Sequence, residues 1–397
     1  MTRLLKSVSL ISDISPAIKR MDSLMIEANI RKMGCIELLY TCLANLVHEI
    51  AKDGRSDLLE GLDNYKKPDN RNQVIYHDSK TPQEIKIQKI IDDAVGLLPK
   101  CKEDYEATTD YQLLERAINE QTKNDKGKRI LKTKEDAMPS DILQNPSDPD
   151  ATYRFKAGKS HKGYSANIVE AVDAKGSVVT DYQYDVNIRG DASFVKEYIE
   201  NAANPEESVM LITDGAYAGE ENTKLASGKN IRLMTTGLLG RKPCEILGEF
   251  QVNGAGTQIT GCPAGNKPKS SSYIKQTDSI RASFYRHQCE GCPYQNQCNP
   301  AIKERTAVVM VPLKSRRRIL ESSEIWNDAT RAWIGRIRNG VETVPAVFRN
   351  KYLVDQMPVR GKLRTKQFFG FKVAALNITK PIRYTKGKLK CRTFELA

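Results

Sequence analysis

Residues 209–222, VMLITDGAYAGEEN, decide the fold of this chain. The run VMLIT has the apolar character of a buried β-strand, and it leads directly into Asp214. Gly215 and Gly219 interrupt the pattern, and a helix is predicted over 219–228. A carboxylate at the end of a buried strand is costly to desolvate, so it usually has a cation partner or a catalytic task. The segment therefore predicts a β-sheet that carries an acid at one strand end.

The segments on either side of this strand predict an α/β core. Upstream, 162–172 and 176–186 are rich in Val and Tyr, and a turn separates them, so they predict an antiparallel hairpin. A helix is predicted over 191–202, with Asp191 as its N-cap. Downstream, another strand is predicted over 231–237. Hairpin, helix, strand, helix and strand in this order are typical of an α/β fold.

Two further regions lie before and after these segments. Residues 34–150 predict a helical region that ends in a charged linker over 123–150, because apolar residues recur at helical spacing in three stretches: 34–53, 81–98 and 110–122. Residues 241–314 are rich in Gly, Pro, Ser and Cys and predict an inserted module, which ends with a strand over 305–313. A helical stretch over 324–350 then precedes a basic tail.

Length and composition are those of a globular protein with two or three domains, or with one fold that carries large insertions. The chain has 397 residues, of which 40% are hydrophobic and 28% charged. It contains no apolar run of membrane-spanning length, and the short apolar stretch at the N-terminus is broken by Ser and Asp. We therefore expect neither a signal peptide nor an anchor, no membrane partner and a cytoplasmic location.

The net charge of +13 is concentrated at one end of the chain. From Arg349 to Ala397 there are 13 Lys or Arg residues against only Asp355 and Glu395. Isolated charge runs are usually solvated surface, but this concentration favours a polyanionic partner, and nucleic acid is the expected one.

A second acid, Glu342, lies on the predicted C-terminal helix, with Arg338 one turn before it. An acid on a strand, an acid on a helix and a basic C-terminus suggest metal-assisted chemistry on phosphodiesters, since a few carboxylates can hold two divalent ions about 3.5–4 Å apart. The alternatives are an ordinary ion pair with Arg338 for Glu342, and a turn or cap residue for Asp214.

Several motifs resemble the DDE transposases of bacterial insertion sequences. TDGAYAGEEN (213–222), RNGVETVP (338–345) and PVRGKLRTKQFFGFKVAALN (358–377) are similar to that family's second and third acid motifs, and KAGKSHKGYSANIVEAVD (156–173) to its hairpin before the second acid. The resemblance covers residues from about 20 to 378. It implies a ribonuclease-H-like mixed sheet flanked by helices. The catalytic core would then comprise 1–33 with the first strand, 151–240 and 315–397, interrupted by a helical insertion over 34–150 and a cysteine-rich insertion over 241–314.

The resemblance also implies a first acid on the opening strand. RMDSLMIEANIRK places Asp22 there, followed by Ser23, although a helix cap is an alternative for Asp22 and Asp150 is a fallback. Asp22, Asp214 and Glu342 would then bind two Mg²⁺ or Mn²⁺ ions and catalyse hydrolysis and strand transfer at the ends of an insertion sequence.

The implied partners are double-stranded DNA, as transposon ends and target, and a second copy of the chain as a homodimer on DNA, in a cytoplasmic, nucleoid-associated location. Seven cations would contact the DNA backbone: Arg338, Arg349, Lys351, Arg360, Lys362, Arg364 and Lys366. The family usually has a helical region before the first acid, and only 21 residues precede Asp22 here. The alternatives are therefore a truncated, inactive DNA-binding remnant and a metal-dependent nuclease on the same core.

Four of the nine cysteines are grouped within the second insertion: Cys262, Cys289, Cys292 and Cys298. One CxxC with two further thiols is compatible with a tetrahedral Cys₄ zinc site, which would be structural because four thiolates leave no position for a substrate. His287 is an alternative ligand, and an iron–sulfur cluster or reduced thiols without a metal are alternative states. The other five cysteines are scattered and are expected to be inert.

Overall fold

The computed structural model describes residues 13–67, 70–77, 81–156, 158–217, 219–236, 244–316, 319–320 and 328–387. The N-terminal residues 1–12 and the end of the basic tail, 388–397 with Cys391, lie outside the described residues. Within the described part, no helix is both long and apolar enough to cross a membrane. The chain divides into two compact units, one made of Met1–Thr213, Tyr217–Thr235 and Arg338–Ala397, the other of Asp214–Ala216 and Thr236–Ile337.

The first unit opens with strand β1 and continues into helices. Their bounds are β1 Ile18–Glu27, α1 Cys35–Lys52, α2 Gln83–Tyr105 and α3 Thr109–Gln121, with short helical turns at Ser56–Leu59, Asp63–Tyr65, Asn70–Asn72 and Gln73–His77 between α1 and α2. A hairpin of β2 (Thr122–Asp125) and β3 (Lys128–Leu131) follows α3, inside the stretch that was expected to be a linker.

The three helices form because each has a continuous apolar stripe. In α1 the buried stripe includes Leu39, Leu43 and Leu46, and it packs against matching stripes of α2 and α3 in one core. The predicted end of α2 near residue 98 is wrong, because the helix continues through Pro99 to Tyr105. Pro99 cannot donate the usual helical hydrogen bond, and burial of Cys101 and Tyr105 in that core offsets this loss.

The sheet of the first unit is mixed. Its remaining strands and the two helices between them are β4 Thr152–Lys156, β5 Lys159–Asp173, β6 Gly176–Val186, α4 Asp191–Asn201, β7 Val209–Asp214, α5 Glu220–Ser227 and β8 Ile231–Thr236. The strand order is β4–β5–β1–β7–β8, and β6 also pairs with β5. Strand β1 is antiparallel to β5 and parallel to β7, so the α/β class predicted from the sequence is confirmed.

The second unit has its own small sheets. The bounds of its strands are β9 Gln251–Val252, β10 Ile259–Gly261, β11 Ser270–Ile274, β12 Ser279–Tyr285, β13 Ala301–Ile302 and β14 Thr306–Pro312. Strands β11–β12–β14–β13 form a four-stranded sheet and β9 pairs with β10. Helical turns occupy Glu245–Gly248, Lys275–Thr277, Arg286–Cys289 and Gln295–Cys298.

Three helices end the described chain: α6 (Asp328–Val341), α7 (Thr343–Asn350) and α8 (Lys362–Thr385). Val344 and Phe348 of α7, with Phe369 and Val373 of α8, pack in one core with Leu24 and Ile26 of β1. Because side chains alternate along a strand, the opposite face of β1 carries Met21, which packs in a separate core with residues of α4 and β7. Helices therefore cover both faces of the sheet. The division of the chain between core and insertions stays a prediction.

Candidate active site

Asp22 lies in the middle of β1, a strand with a partner on each side. It is opposite Ile168 in the antiparallel ladder with β5, and its Oδ1 accepts the backbone N–H of Ser23 at 2.9 Å. The alternative of a helix cap is therefore wrong for Asp22. Alternation along β1 puts Asp22 on the same face as Leu24 and Ile26, which is the face that α7 and α8 cover.

Asp214 is the last residue of β7, as predicted from the sequence. Its Oδ1 accepts the backbone N–H of Ala216, and a helical turn over Gly215–Tyr217 follows. One carboxylate oxygen thus stabilises the turn after the strand, which is the alternative role expected for Asp214. This bond would also hold the carboxylate in a fixed orientation.

Glu342 lies between α6 and α7 and interrupts the long helix predicted over 324–350. Its side chain is 56% exposed, and its Oε1 accepts a hydrogen bond from Nη1 of Arg338 at 2.6 Å. This is the ordinary ion pair that the sequence offered as the alternative. Val344, two residues later, is buried on the sheet face that carries Leu24, so Glu342 begins a helix that packs on the same face as Asp22.

The donor chemistry of these acids suits a hard divalent cation, since Mg²⁺ and Mn²⁺ prefer carboxylate oxygens. Among the residues that the structure describes, however, no three His, Cys, Asp or Glu side chains stand close enough together to hold a metal ion. The assignment of Asp22, Asp214 and Glu342 as a metal site therefore stays a prediction.

The fallback acid, Asp150, caps a helix. Its Oδ2 accepts the backbone N–H of Lys362, at the start of α8, at 3.4 Å. Its neighbour Asp148, which the sequence did not single out, is fully buried and accepts bonds from Tyr164 Oη at 2.5 Å and from the Gly361 N–H at 3.0 Å. These two acids attach the N-terminus of α8 to the sheet.

A second carboxylate that sequence reasoning misread is Asp191. It was predicted to be the N-cap of α4, but the N-cap is Gly190, so no side chain caps this helix. Asp191 instead accepts a hydrogen bond from Ser23 Oγ at 2.8 Å, and Lys156 Nζ lies 3.6 Å from its other oxygen. Ser23 follows Asp22 on β1, so Asp191 fixes the strand from the face opposite Asp22. The sequence analysis singled out Ser23 next to Asp22, but no local pattern connects Ser23 with Asp191.

The four grouped cysteines line one cavity of about 20 Å³ in the second unit, with space for one water-sized occupant. Two tight turns present them: the Gly265 N–H donates to the Cys262 carbonyl at 2.8 Å, and the Cys292 N–H to the Cys289 carbonyl at 3.3 Å. Gly265 and Gly291 have φ of +81° and +76°, a conformation that favours glycine in such turns.

Electrostatics also show that these thiols are neighbours. Burial, and then the thiols of Cys292, Cys262 and Cys289, raise the pKa of Cys298 to about 11. His287 stacks on Tyr285 and is not among the residues that line the cavity. Thiolates are ligands that a soft cation prefers, but in the described part of the chain these thiols are not gathered at ligand distance.

The seven cations expected to bind DNA differ in their surroundings. Three pair with carboxylates: Arg338 with Glu342, Arg349 with Asp355, and Lys362 with Asp185. The Nε of Arg360 donates to the Asn29 carbonyl at 2.7 Å, and Lys351 lies over the ring of Tyr352. Arg364 and Lys366 are exposed on the first turns of α8 and form no ion pair with a described residue. Their role in binding DNA stays a prediction.

Comparison with known proteins gives one family and one solved structure. Residues 261–382 match the family described as a transposase DDE domain. The match includes Glu342 and the four grouped cysteines, whereas Asp22 and Asp214 lie outside it. A cryo-EM structure of the piggyBac transposase synaptic complex with hairpin DNA is similar, with a TM-score of 0.30 and 10% identity over 97% of this chain and 72% of that chain. No curated protein matches the sequence. The family match confirms the resemblance to DDE transposases.

Proposed function

We propose that this chain, whose residues 261–382 match the transposase DDE domain, is a DNA transposase that uses Asp22, Asp214 and Glu342 to bind two divalent ions. The proposed substrate is double-stranded DNA at insertion-sequence ends and at a target. A ribonuclease-H-like core, a homodimer on DNA, a bacterial insertion-sequence origin and a cytoplasmic, nucleoid-associated location belong to the same proposal.

The observation that carries the proposal is the register of β1 and β7. These strands are parallel, and Arg20 of β1 pairs with Ile212 of β7. Asp22 and Asp214 each come two residues after that pair on their own strands. Paired residues of parallel strands lie on the same face of the sheet, and every second residue along each strand lies on that face too. Asp22 and Asp214 are therefore expected on the same face. The helix that begins after Glu342 packs on that face through Val344 and Phe348.

Bound Mg²⁺ or Mn²⁺ would activate water and then a DNA 3′-hydroxyl for in-line attack on a phosphodiester, and would neutralise charge on the phosphate. The chain itself supplies the carboxylates and controls their charge. Arg338 neutralises Glu342 in this structure. Glu342 would hold a divalent cation, and the neighbouring Arg338 guanidinium would contact a DNA phosphate, for which its two-pronged donor geometry is suited.

The remaining cations support DNA binding outside the acids. Lys351, Arg360, Arg364 and Lys366 are exposed, and none of them forms an ion pair with a described carboxylate. Backbone contacts of this kind give affinity that falls steeply with salt and carries no sequence information.

The cysteine cluster has a structural role in this proposal, as a Zn²⁺ site formed by Cys262, Cys289, Cys292 and Cys298. Support comes from the shared cavity, from the two glycine-containing turns and from the donor set. Zinc requires deprotonated thiols, so binding must overcome the raised pKa of Cys298 and releases protons.

Asp214→Asn is the first test of the catalytic proposal. Asparagine keeps the oxygen that accepts the Ala216 N–H but removes the charge, so the turn should persist while divalent-dependent nicking of plasmid DNA falls below detection. DNA affinity, measured by fluorescence anisotropy, should change little. Asp173→Asn is the matched control, because Asp173 also accepts a backbone N–H from two residues later, that of Lys175 at 2.8 Å, and it should nick like the wild type.

The same assay separates the alternatives. Nicking retained by Asp214→Asn would refute the assignment of that acid. Wild-type protein that binds DNA but never nicks it with Mg²⁺ or Mn²⁺ would be the inactive remnant. Nicking without joining of a labelled 3′ end to a target plasmid would identify a nuclease instead of a transposase.

A further inference from the structure

The sheet of the first unit contains a buried ion cluster. Glu170 of β5 is completely buried, and its Oε2 accepts bonds from Arg20 Nε at 2.9 Å and Nη2 at 2.8 Å. Its Oε1 accepts bonds from Lys380 Nζ and from Ser177 Oγ, the latter at 3.2 Å. Burial alone would raise the pKa of Glu170, but Lys380 and Arg20 outweigh it and hold that pKa at about 2. Glu170 is therefore a fixed anion that orients Arg20.

The third nitrogen of the Arg20 guanidinium, Nη1, reaches helix α6 at Gly340. A side-chain Cβ built on Gly340 would overlap Nη1, and it would lie only 3.1 Å from Cζ and 3.5 Å from Nη2 of Arg20. The backbone of Gly340 is not in the left-handed region. Glycine is needed here for close approach and not for an unusual backbone conformation.

The position of this contact in the chain connects it to two of the proposed acids. Arg20 precedes Asp22 by two residues on the same face of β1, and Gly340 precedes Glu342 by two residues near the end of α6. A cation at the C-terminal end of a helix interacts favourably with the carbonyls there. One guanidinium, held by Glu170, thus contacts the helix end next to Glu342 and belongs to the strand that carries Asp22.

We propose that Arg20 and Gly340 are positioning residues that set the separation between Asp22 and Glu342, and that Glu170 holds Arg20 in place for this purpose. This inference depends on the proposed function. It adds that the metal affinity of the acids is set by a contact between residues that bind neither metal nor DNA. Displacing a carboxylate by even one ångström weakens a site that needs near-ideal octahedral geometry.

Helix α6 offers a matched pair of substitutions for the test. Gly340→Ala introduces a methyl group against Arg20, whereas Gly335→Ala in the same helix introduces one where nothing lies within 4 Å. Both changes replace glycine with a better helix former, so helix propensity alone would weaken neither variant. Mn²⁺ binding, followed by electron paramagnetic resonance, is measured on the full chain together with the Mn²⁺ concentration that gives half-maximal nicking.

We expect Gly340→Ala to raise at least tenfold both the Mn²⁺ concentration for half-maximal binding and that for half-maximal nicking, while DNA affinity stays unchanged. Gly335→Ala should behave like the wild type. Arg20→Lys combined with Gly340→Ala is the rescue: lysine keeps a cation beside Glu170 but lacks the Nη atoms that the methyl group would overlap. The double variant should recover a lower Mn²⁺ requirement than Gly340→Ala alone, and it also tests the contact if Gly340→Ala itself folds poorly.

Equal Mn²⁺ requirements for the two alanine variants would overturn this inference and leave the proposed function intact. Failure of Arg20→Lys to relieve Gly340→Ala would also overturn it, because the contact would then not be the cause of the defect. Wild-type protein that neither binds Mn²⁺ nor nicks DNA would instead overturn the proposed function itself, and this inference with it.

Discussion

The helical region and the cysteine region of this chain are both expected insertions, yet they are stabilised in different ways. Among described residues, the helical region buries a core of 27 apolar side chains, and the cysteine region buries seven. Three thiols, those of Cys262, Cys289 and Cys298, pack against the smaller core, whereas Cys42 and Cys101 are ordinary members of the larger one. A core of seven residues rarely supports a fold without a disulfide or a metal. Cysteines of the helical region thus lie inside a large apolar core, whereas those of the cysteine region lie at the edge of a small one.

The proposed zinc site gives the strongest test of this difference. A structural zinc site contributes on the order of 10 kcal/mol to folding, so a chelator should unfold the cysteine region and leave the helical region folded. Hydrogen exchange followed by mass spectrometry should show loss of protection in peptides from β11 to β14 and none in α1 to α3. The opposite result would be purified protein that contains no zinc and whose hydrogen exchange does not change after chelation. It would show that the small core alone keeps the cysteine region folded.

Acid is the corresponding test of the first unit, whose sheet depends on the Glu170 cluster. The pKa of Glu170 is about 2 in the folded chain against 4.5 ordinarily, so its contribution is complete above pH 4.5 and is lost as pH falls toward 2. The free energy of unfolding should fall by about 3 kcal/mol over that window. Denaturant titrations at several pH values, compared between wild type and Glu170→Gln, isolate this residue from other carboxylates.

In that comparison, Glu170→Gln should be less stable than the wild type at pH 7, because Arg20 and Lys380 then stay buried without an anion. It should also lose the part of the pH dependence that belongs to Glu170. An unchanged slope between pH 4.5 and 2 would mean that the cluster does not stabilise the sheet.

The smallest effect is expected from a single cysteine of the helical region. Burial raises the pKa of the Cys42 thiol to about 12, so it is inert as a nucleophile and as a metal ligand. Cys42→Ala should cost only about 1 kcal/mol and leave the zinc content unchanged, whereas Cys298→Ala should abolish bound zinc. Thermal unfolding and elemental analysis of both variants measure this, and equal losses in the two would remove the distinction between the regions.

Local patterns predicted most of the elements. The strand that ends at Asp214 and the hairpin strand Gly176–Val186 have the predicted bounds, because alternation and turn residues are local signals. The hairpin β2–β3 was missed because its short strands, TKND and KRIL, are too polar and basic to suggest burial. The stretch over 324–350 was predicted as helical throughout, although Gly340 and Pro345 flank the interruption at Glu342 and are signals of a helix boundary.

The candidate site was less predictable, because its contacts join distant parts of the chain. Asp22 was correctly expected on the opening strand, but the bond between Ser23 and Asp191 and the contact of Arg20 with Gly340 depend on sheet register and helix placement. Glu170 lies in the apolar run NIVEAV, where nothing local shows that two cations from other elements will meet it. Such pairings follow from topology and not from spacing.

The order of elements along the chain has a consequence for synthesis. The last strand of the sheet ends at Thr236, but α7 and α8, which cover one of its faces, begin only at Thr343 and Lys362. A ribosome adds the intervening segment in on the order of ten seconds. During that time the growing polypeptide presents Leu24, Ile26 and their neighbours to solvent as an uncovered apolar surface. Until the final helix emerges, aggregation through this exposed surface competes with folding of the newly made chain.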